Sequence, residues 1–477
     1  MLERTGAAPT PDAGPASRPA PRPGASRLHG LDLARGLAVL GMFAAHTAMP
    51  PDLTLADPTT WAGVVNGRSA ILFATLAGVS LALMSGRTTP PRGAGLATAR
   101  RRVLVRAACL LVLGGLVQFL VTGVAVILEF YALLLAASVV VLHWRARRLF
   151  LLAAGLAVLT PPVRAALVGL ESAGLLGSGG VLGQLTVSGT YPALVWSAFV
   201  VAGLGVGRLD LTRARVGAGL AVSGVLLAVA GYGGSWLIAP VAGTPGPDGP
   251  GLPGSAPYES SLYLDPGDGS TQLPGSSPTE VPGAEADLDG MVCSGAPSIG
   301  WSCYDPLPGP AADEDVADVA PEKAPENLWA ANWAAVRSSL DLWTFTTSSP
   351  HSSTTFEVVG SGGVALTVIA ACLGLVRLLG RLRWLVRPLT AVGSMPLTAY
   401  CGHLLALAVV GVVGTGEEFA AFEESSFGTG VSWTQWYLFA AVTLVLCTVW
   451  ARVLGRGPLE RLVAWVVRRA VAERPVA

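Results

Sequence analysis

The hydrophobic and polar positions divide the chain into ten apolar segments separated by mostly short polar stretches. Each segment has close to the ~20 residues that an α-helix needs to cross the ~30 Å hydrocarbon core of a bilayer. The pattern therefore predicts an all-α protein, a polytopic transmembrane helix bundle of about ten spans. The segments lie near 31–49, 67–85, 103–122, 124–142, 149–168, 191–208, 214–239, 357–379, 388–414 and 434–454.

The stretches outside these segments define the predicted domain organisation. Residues 1–28 are rich in Pro, Ala, Gly and Arg and predict a disordered cytoplasmic tail ahead of spans 1–7, which occupy 29–239. The stretch 240–356 starts Pro/Gly/Ser-rich and acidic, which predicts a long and partly disordered extracytoplasmic loop. Spans 8–10 follow in 357–454, and 455–477 predicts a basic, amphipathic cytoplasmic tail.

Composition and charge agree with a membrane protein. Hydrophobic residues make up 52% of the chain and charged residues only 13%, whereas a soluble domain carries about a quarter. With alternating spans, all but four of the 31 basic residues (Arg68, Arg164, Lys323 and Arg337) fall on the side of the N-terminus. The positive-inside rule therefore places both termini in the cytoplasm. The bias towards arginine, glycine and proline is typical of a GC-rich bacterial genome, so we expect a multi-pass protein of a bacterial plasma membrane.

Ionisable residues inside the predicted spans are costly in lipid, and each is therefore a functional hypothesis. Arg35 and His46 stand eleven residues apart in the first span, which separates them by about 16 Å along a helix axis. We expect them at different depths. The other candidates are Glu129, the pair Tyr400 and His403, and the pair His351 and Glu357 at the outer mouth of the eighth span.

His46 has two interpretations. An imidazole in an apolar pocket favours its neutral form, which can take a proton from a hydroxyl or an amine. It can equally serve as an interhelical hydrogen bond without catalytic function. The glycine runs GLGVGRLD and GSGGVLG follow or join spans and have no strand before them, so we interpret them as close-packing and loop glycines and not as phosphate-binding loops.

Several motifs, in order along the chain, resemble those of membrane acyltransferases. LDLARGLAVLGMFAAH at 31–46 is similar to the first span of the heparan-α-glucosaminide N-acetyltransferase-like proteins and of the bacterial O-acyltransferases of the third acyltransferase family. RSAILFATLAGVSLAL resembles their second span, and TYPALVWSAFVVAGLGVGRLDL at 190–211 resembles the tyrosine–proline…tryptophan span of the heparan-type group. SPHSSTTFEVVGSGG and GSMPLTAYCGHLL resemble segments of uncharacterised bacterial relatives of that group.

The resemblance implies acyl transfer across the membrane. The donor would be acetyl-CoA or another acyl-CoA, bound only as a substrate, and the acceptor an extracytoplasmic glycan or glycolipid. We expect no permanently bound cofactor, no metal and no nucleic-acid partner. The implied catalytic residues are His46, Arg35, His351 and Glu357, and the implied donor-binding residues are Arg35, Arg100, Arg101 and Arg102. On this resemblance His46 is either the catalytic base or a transient acyl carrier.

Two of these assignments have alternatives. The heparan-type enzymes carry a histidine in the outer loop after the first span, but here that loop has none, so the chain follows the His46 pattern and His351 could fill the vacant role. Arg100, Arg101 and Arg102 could contact the CoA phosphates, or they could simply be positive-inside arginines.

A transporter without covalent chemistry is the alternative function, with Glu129, His403 and Arg35 forming a polar path. No internal repeat is visible, which counts against it. Cys293 and Cys303 lie in the long loop, where a disulfide between them is plausible if the loop is extracytoplasmic.

Overall fold

A computed structural model describes residues 28–242 with short gaps (49, 52, 54–56, 121–123, 173–174 and 178), 292–296, 300–304, 333, 336, 345–413 and 433–471. The predicted disordered tail and most of the predicted long loop lie outside the described residues. Within them the protein is helical apart from one short antiparallel hairpin, β1 (Val292–Ala296) and β2 (Gly300–Tyr304).

The helices follow the predicted apolar segments closely, in most cases to within a few residues at each end. They are α1 (His29–Thr47), α2 (Arg68–Met84), α3 (Gly93–Leu120), α4 (Ile127–Ser138), α5 (Ala146–Ser172), α6 (Gly180–Gly183), α7 (Ala193–Gly207), α8 (Ala214–Ala228), α9 (Gly234–Ala242), α10 (Thr355–Leu379), α11 (Arg387–Ser394), α12 (Pro396–Val413), α13 (Trp433–Val453) and α14 (Pro458–Ala470). A π-turn, Val229–Gly233, joins α8 to α9, and 3₁₀ turns cover Pro58–Val65 and Gly380–Val386.

Among the described residues, six helical stretches are long and apolar enough to cross a membrane, and the number is seven if the bent pair Gly180–Ser188 and Ala193–Gly207 forms one span. Two further apolar helices, α4 and the segment Pro396–Val409, are shorter. The chain is therefore a multi-pass helical membrane protein, and the count of ten spans stays a prediction.

Two local predictions were wrong. The apolar segment 388–414 is two helices, because Pro396 has no N–H to donate and keeps the residue before it out of the α region, so Met395 adopts a non-helical conformation between α11 and α12. The glycine run GSGGVLG, interpreted as loop, ends in the short helix α6, which continues as a π-turn through Gln184–Ser188.

Glycines allow the helices around the site to pack backbone against backbone. A Cβ atom on Gly78 of α2 would collide with the Val200 carbonyl of α7, and one on Gly203 of α7 with the Thr75 carbonyl of α2. Gly393 of α11 meets the Asp32 carbonyl of α1 in the same way. Small residues at helix contacts are the usual means of tight packing in membranes. They fix α2 against α7 and α11 against α1.

The packing separates two chemically different ends of the bundle. At one end Arg208 donates to the Arg87 carbonyl at 2.8 Å, and Arg377 donates to the Leu211 carbonyl at 2.5 Å, so turns rich in arginine lie together. We call this the arginine-rich end. The opposite end, which contains the last turn of α1 with His46 and the first turn of α2 with Arg68, is called the histidine end.

Candidate functional site

Two histidines from distant parts of the chain form the centre of the candidate site. Nδ1 of His46 in α1 lies 3.0 Å from Nε2 of His403 in α12, and the two rings are stacked with centroids 5.3 Å apart. His403 is only 3% exposed, whereas His46 is half-buried. Because a hydrogen bond between two imidazoles needs one N–H and one lone pair, the pair holds a proton between its members. Nε2 of His46 is the nitrogen left to act on a substrate.

Aromatic side chains surround His403. The ring centroid of Phe43 lies 4.0 Å from that of His403, and the ring centroid of Tyr400 lies 5.3 Å from it in an edge-on arrangement. The Tyr400 hydroxyl accepts a hydrogen bond of 3.3 Å from the backbone N–H of Ile127 at the start of α4. These contacts fix the orientation of His403 and therefore the direction in which His46 is held.

His351 lies at the same end of the bundle. Its ring is parallel to that of Trp196 with centroids 6.3 Å apart, and it meets the Tyr191 ring edge-on at 5.4 Å. It is close enough to His46 for the two imidazoles to interact electrostatically. The structure thus brings together His46 and His351, which the sequence placed 305 positions apart.

Glu357 holds the backbone of the segment that carries His351. It is 3% exposed, and its carboxylate accepts hydrogen bonds from the N–H of His351 at 2.7 Å and of Ser353 at 2.5 Å. Its own N–H donates to the side chain of Thr354, the N-cap of α10, so the two residues form a variant of the capping box. His351 and Ser353 both have positive φ, 63° and 57°, and the carboxylate stabilises this sparsely populated backbone conformation.

Two arginines provide positive charge near the Glu357 carboxylate. Arg68 and Arg164 both interact with it electrostatically. Arg68 Nε also donates to the Tyr232 hydroxyl at 2.8 Å, and that hydroxyl lies 2.7 Å from Ser361 Oγ on α10. Arg164 Nε donates to the Val187 carbonyl at 2.8 Å. Three helices (α2, α5 and α10) and the π-turn Val229–Gly233 thus contribute to the polar surroundings of Glu357.

Arg35 lies deeper in the bundle, as its spacing from His46 predicted. It forms a 2.9 Å ion pair with Asp32 and donates to Ser80 Oγ of α2 at 2.8 Å. A mostly apolar cavity of about 110 Å³ begins at Arg35 and Arg106 and includes Tyr131 and Tyr400 in its wall. Tyr400 lies between this cavity and the histidine pair, because it lines the cavity and its ring centroid is 5.3 Å from that of His403.

Other predicted residues do not join this site. Arg100 donates to the Val139 carbonyl at 3.0 Å, and Arg101 and Arg102 are exposed on α3, outside the walls of this cavity. Glu129 lies against the glycines of α3, next to Gly114. The sequence marks Tyr400 and His403 as candidates but does not assign them to the catalytic site. Their spacing of three, which puts them on one face of a helix, was the available signal.

The fold and these residues define the class of protein: a multi-pass helical membrane protein with a histidine pair near an internal cavity. Residues 27–232 match the family model described as heparan-alpha-glucosaminide N-acetyltransferase, catalytic, and residues 321–470 match a protein of unknown function (DUF418). Together these matches relate the chain to the heparan-α-glucosaminide N-acetyltransferase-like membrane proteins, as the motifs predicted. No curated protein and no solved structure matches the chain.

The two matched regions meet at the histidine pair. His46 lies in the region that matches the acetyltransferase model, and His403 lies in the region that matches the family of unknown function. The 3.0 Å contact therefore makes one site from two parts of the chain.

Proposed function

We propose that the protein is a membrane acyltransferase that uses an acyl-CoA, acetyl-CoA first among them, to acylate an extracytoplasmic glycan or glycolipid. The observation that carries the proposal is the cavity that begins at Arg35 and ends against Tyr400, next to the His46–His403 pair. Its narrow, mostly apolar interior suits the acyl–thioester end of an acyl-CoA. The match of residues 27–232 to an N-acetyltransferase catalytic domain supports the same function.

In this proposal the donor enters from the arginine-rich end, which the positive-inside rule assigns to the cytoplasm. Arg35 and Arg106 stand at that end of the cavity, where their charges would meet the polar part of the donor. The acceptor enters from the histidine end, where His46 is half-buried and His351 lies nearby.

His46 is the proposed general base. Its Nε2 takes the proton from the hydroxyl or amino group of the acceptor while the acceptor atom attacks the thioester carbonyl carbon. The carbon–sulfur bond then breaks, the acyl group stays on the acceptor, and the sulfur leaves and takes up the proton. His403 orients His46 and stabilises its charged form, which is the role that a third group has in other base-assisted sites.

The polar network at the histidine end has a positioning role in this proposal. Glu357 fixes the backbone at His351, and Arg68 and Arg164 provide positive charge near its carboxylate. This network keeps His351 facing the site, and Glu357 itself does not contact the reacting atoms.

The test begins with binding of acetyl-CoA to the detergent-purified protein by calorimetry, with desulfo-CoA and dephospho-CoA as analogues. We expect saturable binding that weakens when the 3′-phosphate is lost and when Arg35 is replaced by Gln. Transfer of radiolabelled acetyl groups to membrane extracts in proteoliposomes then tests the reaction. A folded, monodisperse protein that binds neither acetyl-CoA nor its analogues would contradict the proposal and favour the transporter alternative.

A further inference from the structure

A second cavity, separate from the one beside the histidine pair, lies at the arginine-rich end of the bundle. It has a volume of about 500 Å³ and is enclosed by the α2–α3 turn, the α4–α5 turn and the end of α7. Four of its lining residues are arginines, namely Arg92, Arg145, Arg147 and Arg208, and the hydroxyl-bearing Thr88 and Thr89 complete the polar part. Among the residues that the structure describes, no carboxylate lines it.

Arg208 is a fixed part of the wall. It is 5% exposed, and its guanidinium donates to backbone carbonyls of both turns, including those of Arg87 at 2.8 Å and Leu142 at 2.5 Å. It also donates to Ser85 Oγ at 3.0 Å. These bonds fasten the end of α7 to both turns, so the buried Arg208 holds together the segments that carry the exposed arginines of the cavity.

The charge of Arg208 has no counterion in the described part of the chain. Both ion pairs that the structure gives there involve other arginines, Arg35 and Arg213, and Arg208 Nε has no hydrogen-bond partner. Burial alone lowers the pKa of its guanidinium to about 10. Carbonyl oxygens satisfy N–H groups but leave a net buried charge, which is costly unless an anion compensates it.

The positive-inside rule does not by itself explain why these arginines lie around one cavity. Arginines that follow this rule are usually exposed and point to solvent from separate loops, as Arg381 and Arg383 do in the turn after α10. Here three exposed arginines from two turns and one buried arginine converge on a single concave volume. Guanidinium groups that converge in this way are suited to the oxygens of a phosphate group, which accept several charge-assisted hydrogen bonds at once.

We propose that this cavity binds a phosphate-bearing anion at the arginine-rich end of the bundle. Its source is either the headgroup of an anionic phospholipid or a phosphorylated nucleotide in solution, since both present the same oxygens to the same arginines. The volume accommodates either one. The proposal does not rest on the acyltransferase function, because the histidine pair and its cavity share no lining residue with this site.

The test compares two charge reversals in the full-length protein. Arg145→Glu with Arg147→Glu changes the cavity, and Arg381→Glu with Arg383→Glu makes the same change of net charge at the same end but outside it. One arm measures binding of 3′,5′-ADP and of inorganic phosphate by calorimetry. The other measures retention of phosphatidylglycerol by native mass spectrometry after purification from vesicles of phosphatidylcholine with phosphatidylglycerol.

We expect the cavity variant to lose at least about tenfold in affinity or retention in one arm while the control variant stays close to wild type, since two charge-assisted contacts are removed. Loss in the nucleotide arm identifies a soluble ligand, and loss in the lipid arm identifies a headgroup. Arg145→Gln with Arg147→Gln should give a smaller loss in the same arm. Equal behaviour of the cavity and control variants in both arms overturns the proposal. Elution volume and circular dichroism confirm that each variant is folded.

Discussion

His46 and His403 stand 357 positions apart in the chain, yet Nδ1 of the first lies 3.0 Å from Nε2 of the second. The first belongs to the helix whose motif suggested acyl transfer, and the second to a helix that begins at a proline after a break. Their contact gives His46 a defined orientation, which a lone histidine in a transmembrane helix does not have. The predictions below test this pair and the groups that support it.

Replacing His46 by Gln should reduce acyl transfer by about 100- to 10,000-fold, the usual contribution of a general base. Donor binding should change little, since the cavity that is proposed to hold the donor is not lined by His46. The measurement is the initial rate of transfer of radiolabelled acetyl groups at saturating donor. His143→Gln, at an exposed position next to Trp144, is the matched control and should retain wild-type activity. A wild-type rate in His46→Gln would show that His46 has only a structural role, as a hydrogen-bond partner.

His403 should matter through His46. His403→Gln keeps a group that can hydrogen-bond to His46 but cannot share its proton as a second imidazole does, so we expect an intermediate loss of the transfer rate. His403→Leu should lose more. The measurement is kcat and the KM for the donor in each of the two variants, and the fall is expected in kcat. Identical losses in the Gln and Leu variants would mean that the hydrogen bond has no role in catalysis.

Arg35 and Asp32 allow stability to be separated from donor binding. Replacing Arg35 by Gln removes the 2.9 Å ion pair with Asp32, which is 5% exposed, and should lower the free energy of unfolding by about 1–3 kcal/mol. Adding Asp32→Asn should restore much of the stability but not the affinity for acetyl-CoA. Tryptophan fluorescence during thermal unfolding measures the stability, and calorimetry measures the affinity for acetyl-CoA. Recovery of both in the double variant would exclude Arg35 from the donor site.

Glu357→Gln should disturb the segment at His351. A carboxylate accepts at both oxygens, whereas the amide turns one of them into a donor that faces the N–H of His351 or Ser353. A buried group left unsatisfied in this way costs about 1–3 kcal/mol. We expect a lower Tm and a slower transfer rate. Thr354→Ser keeps the hydroxyl that caps α10 and serves as the control, so a similar loss there would point to the helix end and not to the carboxylate.

The amphipathic helix α14 should hold the start of α12 in place. The Glu460 carboxylate accepts from the N–H groups of Leu397 and Thr398 at 2.8 and 3.2 Å, and Thr398 Oγ1 accepts from the N–H of Leu459 at 3.2 Å. A double-mutant cycle of Glu460→Gln and Thr398→Val should show a coupling of at least about 0.5 kcal/mol, as expected for residues in one network. Leu397 lines the cavity that is proposed to hold the donor. The affinity for the donor should therefore fall together with the free energy of unfolding. Additive effects would show that the contact is not energetically coupled.

The helices, their approximate bounds and the placement of arginine could be read from the sequence because they depend on local properties. Apolar length and the cost of a charge in lipid act within a single segment. The same holds for the separation of Arg35 and His46, which follows from the rise of one helix. The register of β1 and β2, with Cys293 opposite Cys303, agrees with the predicted pairing of these cysteines, and the disulfide itself stays a prediction.

The site was decided by tertiary structure. Whether His403 faces His46 depends on the rotation of α12 after the break at Met395 and on how closely α11 approaches α1, which is set by the contact of Gly393 with the Asp32 carbonyl. Neither quantity is encoded in the pattern of a single segment. The cavity also depends on the tertiary structure, because its walls come from five helices. The sequence by itself determined which groups lie at which depth, and only the packing of the helices decided which of those groups meet.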